Sequence, residues 1–372
     1  MLAKFSVRNY MGFPDKITWD LTKRRDYAFN THLISDGIIK NGIIYGKNGS
    51  GKTSIGRAVF DIVGLADVST PIDYHDVIYQ GNPAGLIDFE YVFKFDGGDD
   101  GDDIEYSYSR DINGGFKKES LFHNGVRVFE RDGVNLLDSD EFGFETTVKN
   151  QLANSANSVS ILKYILGTFP LSSGHYLLKL KSFINSMLWF RCLDERRFIG
   201  IDNGVVHIED YIIQKGYLEE YSEFIRKESD QVFDFSPTVP GQKLIFCKIG
   251  NNTVPLMSIA STGTKALELL FYWTKRMQEA DIQFVFIDEF DAFYHFELSI
   301  NICRTLFHGP HQVFLSSHNT MLLGNDFLRP DCGFYLRNNR IDPLCDCTDR
   351  GELRQGHNIE KMYRAGAFDI NR

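Results

Sequence analysis

The eight residues Gly46-Lys47-Asn48-Gly49-Ser50-Gly51-Lys52-Thr53 complete the pattern G-x-x-x-x-G-K-[ST]. The chemistry of that pattern is phosphate binding. Glycines let backbone amides turn inward around phosphate oxygens, and a helix start adds the positive end of its dipole. In such a loop Lys52 reaches the β- and γ-phosphates and Thr53 ligates Mg²⁺. Gly46, Asn48, Gly49, Ser50, Gly51, Lys52, Thr53 and Ser54 are therefore the candidate residues for holding ATP. The flanks suit the reading: "GIIY" precedes as a strand, and Ile55, Val59 and Ile62 follow at helical spacing.

A second group of acids lies far along the chain. In "FVFIDEFDAFYH" four apolar residues end in Asp288 and Glu289, as a buried central strand does when its carboxyl end reaches a site. Asp288 is a candidate to hold Mg²⁺ through water, and Glu289 to polarise the attacking water as general base. The alternative is a central strand with surface acids at its tip. The strand "QVFLSSH" ends in His318, which either caps the next turn with "NT" or hydrogen-bonds the terminal phosphate. Before these acids, residues 258–268 read "SIASTGTKALE", where a serine and a glycine, Ser261 and Gly263, open a helix about 210 residues after the loop. A helix start of this kind is either a second anion site or an ordinary cap by Ser261 or Thr262.

These residues need strands and helices to carry them. Residues 2–9 and 17–21 alternate as a hairpin, and 87–95 and 104–109 read as aromatic-rich strands. Residues 145–230 read as mainly helical, "YLLKLKSFINSMLWFRCL" included. From "KLIFCKI" at 243 onward, strands and helices alternate: a helix from about 263, "QFVFID", a helix near 296–307 and "QVFLSS". This alternation implies a mainly parallel sheet. The division expected is 1–100, 101–242 (a β-hairpin plus helical arm or lid) and 243–372, without internal repeats or low-complexity linkers. The acidic run "DGGDDGDD" reads as a solvated turn rather than a calcium loop, since the EF-hand glutamate and helices are missing.

Composition narrows the classes. The chain has 372 residues, 43% hydrophobic and 24% charged, an ordinary globular make-up. No apolar run approaches the roughly 20 residues of a membrane span, and the start lacks the features of a signal peptide, so a cytoplasmic protein is expected. The net charge of −10 argues against a surface that is basic throughout, although a local basic groove for nucleic acid stays open. Six cysteines are expected as reduced thiols; Cys345-x-Cys347, with Cys332 and His357, has closer spacing than structural zinc sites use.

In their order, the phosphate loop, a helical stretch, "STGTK", "FVFIDE" and "SSH" resemble the ATP-binding cassette class of P-loop ATPases. Within that class, the opening "LAKFSVRNY" looks like the SMC, RecF and OLD branch. The fold implied is α/β: a P-loop NTPase head of the ABC type, with a β-rich N-terminal lobe and a mainly helical insertion. The resemblance further implies a homo-oligomer, at least a dimer sandwiching ATP and Mg²⁺. Ser261 and Gly263 would act on the partner's γ-phosphate, Lys265 lies nearby, and Asp291 falls in the segment that crosses the interface. The segment here is Ala260-Ser261-Thr262-Gly263 where the family usually has Leu-Ser-Gly-Gly, and Gln80 is the candidate glutamine-loop residue. The ending "LRQGHNIEKMYRAGAF" resembles small AAA-annotated ATPases of abortive-infection and other anti-phage operons. That implies an ATPase with Lys52, Glu289 and His318 in catalysis and a separately encoded effector protein as partner. The competing readings are a RecF-like DNA-repair ATPase that binds DNA, and a scaffold that binds ATP and barely turns over.

Overall fold

A computed structural model describes residues 1–65, 72–96, 101–138, 141–154, 159–191, 198–200, 207–279, 281–349 and 351–369. Its centre is a seven-stranded sheet whose inner five strands are parallel. In spatial order these are Met187–Arg191, Phe284–Asp288, Gln312–Ser316, Asn41–Tyr45 and Gly333–Arg337. The strands Phe198–Gly200 and Arg340–Pro343 close the two edges antiparallel. Three of the parallel strands are buried at every position, which is why their sequences carry apolar runs such as Phe284–Ile287 rather than alternations, with polar residues only at their ends.

The second large sheet is wholly antiparallel. It contains Leu2–Arg8, Ile17–Asp20, Ile87–Phe95, Asp102–Arg110, Phe116–His123, Val126–Asp132 and Asn135–Asp138. Here one face is buried and burial alternates, most clearly along Ile87–Phe95. Trp19 links the two sheets: its ring meets Phe314 edge-on with centroids 4.5 Å apart and Phe334 at 5.6 Å. The buried Gln312 amide completes the joint by exchanging hydrogen bonds with the Leu2 backbone, both at 2.9 Å.

Helix Lys52–Val59 leaves the phosphate loop and lies on the sheet beside Phe284–Asp288. The closeness of that packing demands Gly56, because a Cβ there would sit 2.5 Å from the Phe286 ring. Ile55, Val59 and Ile62 are all buried, as their spacing predicts, although the helix tightens to a 3₁₀ form from Phe60. At that end Asp61 accepts hydroxyl hydrogen bonds from Tyr74 at 2.9 Å and Tyr108 at 2.7 Å. The loop's own helix is thereby tied to the antiparallel sheet.

The long helix Thr262–Glu279 carries the second serine-glycine pair at its start. Helix Phe296–His308 connects the Asp288 strand to the His318 strand. Three expectations change. "MLWFR" is not the end of a helix: helix Tyr176–Asn185 stops, and Met187–Arg191 enters the parallel sheet next to Phe284–Asp288. The strand in "KLIFCKI" covers only Phe246–Ile249 and pairs with Asn252–Pro255 in a separate hairpin, because the chain turns back at Gly250 with φ +60°. Finally, three strands between 116 and 138 extend the antiparallel sheet where no element was anticipated.

The acidic run's residues 97–100 and Cys192 lie outside the described residues. The run's flanks are paired: Asp103 with Lys94 at 2.8 Å, and Asp102 with His123 at 2.7 Å and Lys179 at 2.6 Å. Among the described residues no three potential ligands gather into a metal cluster, and the His357 ring accepts from the Arg354 N–H. No helix among them is long and apolar enough to cross a membrane.

Candidate nucleotide site

Three separate segments converge at the carboxyl ends of three adjacent strands. Asn41–Tyr45 delivers the phosphate loop, Phe284–Asp288 delivers Asp288 and Glu289, and Gln312–Ser316, lying between them, leads into Ser317 and His318. The loop turns into its helix through Gly51, whose φ of +101° is a left-handed conformation open to glycine. A Cβ at Gly51 would also strike the Phe13 ring at 2.6 Å. No side chain caps this helix, so its first amides face the loop's concavity.

Lys52 is buried, and its Nζ donates to the Gly46 carbonyl at 2.9 Å and lies 3.4 Å from the Lys47 carbonyl and from His318 Nδ1. Burial pushes the Lys52 pKa down, and Asp288 and Glu289 oppose that push. Much of the His318 residue is exposed. Withdrawal of its site-facing edge from water, and then the Lys52 charge, hold its pKa below the usual histidine value. The ring is therefore neutral at physiological pH and keeps one nitrogen as a donor and one as an acceptor.

Thr53 Oγ1 donates to Asp288 Oδ2 at 2.8 Å, and Ser316 Oγ donates to Asp288 Oδ1 at 2.6 Å. Asp288 is fully buried, and burial raises its pKa despite those two hydrogen bonds. The next residue, Glu289, has φ +48° and donates its N–H to Ser316 Oγ at 2.8 Å. Its side chain accepts from Arg191 Nη2 at 2.8 Å. Asp291 accepts from the Ser317 hydroxyl at 2.8 Å, and burial raises its pKa too.

The residues fit a triphosphate with Mg²⁺. Ser50 Oγ is buried in the loop without a hydrogen-bond partner among the described residues, a polar atom awaiting a ligand. Lys52 rests on backbone carbonyls that a phosphate can replace. The Thr53 hydroxyl and the Asp288 carboxylate meet as a pair of hard oxygen donors, the kind Mg²⁺ takes. Outside the loop, a concavity of about 550 Å³ is bounded by Gly12, residues 47–50 and the hairpin residues 335–339.

Ser261 and Gly263 stand apart from this convergence. Ser261 is exposed, and its Oγ accepts from the Thr264 N–H at 3.1 Å, capping the helix Thr262–Glu279. Thr264 in turn donates its hydroxyl to Gln231 at 2.8 Å. Lys265 is exposed beside them. Gln80 is exposed and its amide donates to the carbonyls of His75 and Ile78, at 3.0 and 3.2 Å.

Two participants were not anticipated from sequence: Ser316, which braces both acids, and Arg191. The signal for Arg191 was present, because "MLWFR" has the same form as "FVFID", an apolar run closed by a charge.

A family model described as "AAA domain, putative AbiEii toxin, Type IV TA system" matches residues 43–324. No curated protein matches the sequence. Solved structures that match this chain include the SmcHead bound to the C-winged helix domain of ScpA, at 15% identity and TM-score 0.44 over 92% of this chain and 96% of that one. The SMC head domain from Thermotoga maritima matches at 18% identity and TM-score 0.42, over 92% and 97%. The recombination mediator protein RecF with ATPrS matches at 13% identity and TM-score 0.43, over 92% and 98%.

Proposed function

This chain belongs to the AAA-domain family described as "AAA domain, putative AbiEii toxin, Type IV TA system", an ATP-binding ATPase, and we propose that it dimerises around ATP and controls a partner effector in anti-phage defence. The observation that carries the reading is the Thr53–Asp288 hydrogen bond of 2.8 Å, with Lys52 and His318 beside it. It joins residues 235 positions apart into one phosphate-and-metal corner. The family's description, which names a toxin and a Type IV TA system, supports a chain that works as one member of such a system.

In this reading Lys52 leaves the Gly46 and Lys47 carbonyls for the β- and γ-phosphates. Thr53, and Asp288 through water, would hold Mg²⁺, which would supply charge neutralisation at the phosphate oxygens. Glu289 takes a proton from the attacking water, and neutral His318 hydrogen-bonds the terminal phosphate. Ser261, exposed at its helix tip, and the half-buried Gly263 meet the γ-phosphate held by a second copy, and Asp291 lies in the segment between the two sites. Contacts to the γ-phosphate favour the closed pair, so closure is lost on hydrolysis. Moving such a switch decisively takes several kcal/mol of preference for the closed state.

The three segments take roles accordingly: 1–100 carries the phosphate loop and 243–372 carries the serine-glycine helix, Asp288, Glu289 and His318; within 101–242 the strand Met187–Arg191 belongs to the central sheet, so a role as arm or lid falls to the rest of that segment. The site of action is the cytoplasm. The test is affinity purification of the Glu289→Gln chain from its host with ATP. A protein encoded beside this gene should co-purify. Hydrolysis by the purified wild-type chain that depends on added DNA and collapses with salt would contradict effector control.

A further inference from the structure

We propose that Arg191 is a positioning residue for hydrolysis, anchoring one oxygen of the Glu289 carboxylate so that the other faces the attacking water. The proposal rests on the reading of Glu289 as general base. Strand Met187–Arg191 runs parallel to Phe284–Asp288, and the register sets Arg191 directly beside Asp288. Two nitrogens of its guanidinium converge on a single carboxylate oxygen: Nη2 reaches Glu289 Oε2 at 2.8 Å and Nε at 3.3 Å. Nε also lies 3.7 Å from Asp288 Oδ2, the oxygen that accepts from Thr53. A planar fork closing on one oxygen restricts rotation of the carboxylate in a way a single point charge does not.

The main chain of Glu289 is held independently. Its left-handed φ of +48° is braced by the Ser316 Oγ on the strand at the other side of Phe284–Asp288. Glu289 is thus gripped from both neighbouring strands, backbone by Ser316 and side chain by Arg191. A base must be both oriented and reachable by water, and the exposure agrees: the Arg191 and Glu289 side chains keep 36% and 22% of their surface accessible. Another arginine–glutamate pair, Arg131 with Glu119, is closed off at 1% and 0%, and there the carboxylate serves the amides of Ile161 and Leu162 instead. In this reading Arg191 acts through Glu289, its Nη2 standing 2.8 Å from Glu289 Oε2 against 3.7 Å from Nε to Asp288 Oδ2.

The experiment compares steady-state ATP hydrolysis by the full wild-type chain, Arg191→Met, Arg191→Lys, Glu289→Gln and the Met/Gln double variant. Methionine keeps an apolar stem without the charge, and thermal melting checks that each variant is folded. Binding of a fluorescent ATP analogue is measured alongside. Arg191→Met should lower kcat about tenfold to a hundredfold with KM and analogue affinity unchanged, the range expected for loss of a charge-assisted hydrogen bond. Arg191→Lys should recover part of that loss. The double variant should be no slower than Glu289→Gln alone, because the two residues act as a unit. An Arg191→Met kcat equal to or above wild type overturns the proposal, as does a double variant slowed by the product of the single effects. If Glu289→Gln itself hydrolyses normally, the assignment of the base has failed rather than that of Arg191.

Discussion

The chain presents two helix starts of similar composition, and they are built oppositely. At Gly51-Lys52 the helix has no side-chain cap, Lys52 is buried, and Asp288, His318 and Glu289 stand within reach. At Ser261-Thr262 the serine spends its hydroxyl on its own helix, and the tip is exposed. The first faces inward, onto side chains of the same chain. The second is a finished helix end facing outward, and an anion can reach it only from outside the chain. Similar residue types thus give a buried site in one place and an exposed helix end in the other, the difference lying in burial and in what claims the polar atoms; the proposed pairing of two copies makes that exposed end half of an interface.

The sharpest way to break the first half of this comparison is Lys52→Ala. Loss of the buried ammonium should abolish nucleotide binding, read by equilibrium binding of a fluorescent ATP analogue. Retained binding would move the site elsewhere. Next in size is Glu289→Gln, which should hold ATP yet hydrolyse it about 10²- to 10⁴-fold more slowly. The second half is tested by Ser261→Arg, which should leave analogue binding in place while hydrolysis falls. Because that change also removes a helix cap worth about 1 kcal/mol, Ser261→Asp is the sharper partner. Aspartate keeps the cap and sets a negative charge against the phosphate. Normal hydrolysis in the aspartate variant would leave Ser261 with capping as its whole role.

The smallest effect expected is a pH dependence. Burial raises the Asp288 pKa, so the folded chain favours its protonated form. That contribution to stability is full below the pKa of an unfolded aspartate, about 3.9, and is lost as pH rises through the raised folded value. Mg²⁺ needs the ionised form. Mg²⁺-dependent binding of the analogue should therefore weaken on acidification at a pH above that of a free aspartate, and Asp288→Asn should lose this limb. A titration midpoint at or below the free value would contradict the buried geometry.

Much of the site was legible because its signals are local. The loop's glycines, the run "FVFID" and the run "QVFLSS" each declare themselves within a few residues. What was missed depends on partners far along the chain. "MLWFR" follows a helix without a break in apolar content, and periodicity alone does not separate a short buried strand from a helix end. Only its parallel pairing with Phe284–Asp288 makes it a strand and brings Arg191 to Glu289.

Residues 116–138 gave no clean alternation, because charges sit at core-facing positions. Glu119 and Arg131 are both buried, and the register slips between Leu121 and Phe122. Those charges are explained by a helix start that Glu119 caps, accepting from the amides of Ile161 and Leu162 at 2.8 and 3.1 Å, while Arg131 donates to Glu119 at 3.0 Å. Nothing in the neighbouring sequence announces such a partner.

The most direct measurement is the solution mass of the Glu289→Gln chain by light scattering, with ATP and Mg²⁺ and without them. Composite sites predict that the mass doubles in ATP and that adding Ser261→Arg to the same chain prevents the doubling while analogue binding persists. A mass unchanged by ATP, or a doubling indifferent to Ser261→Arg, would contradict the proposal that each pocket is completed by a second copy.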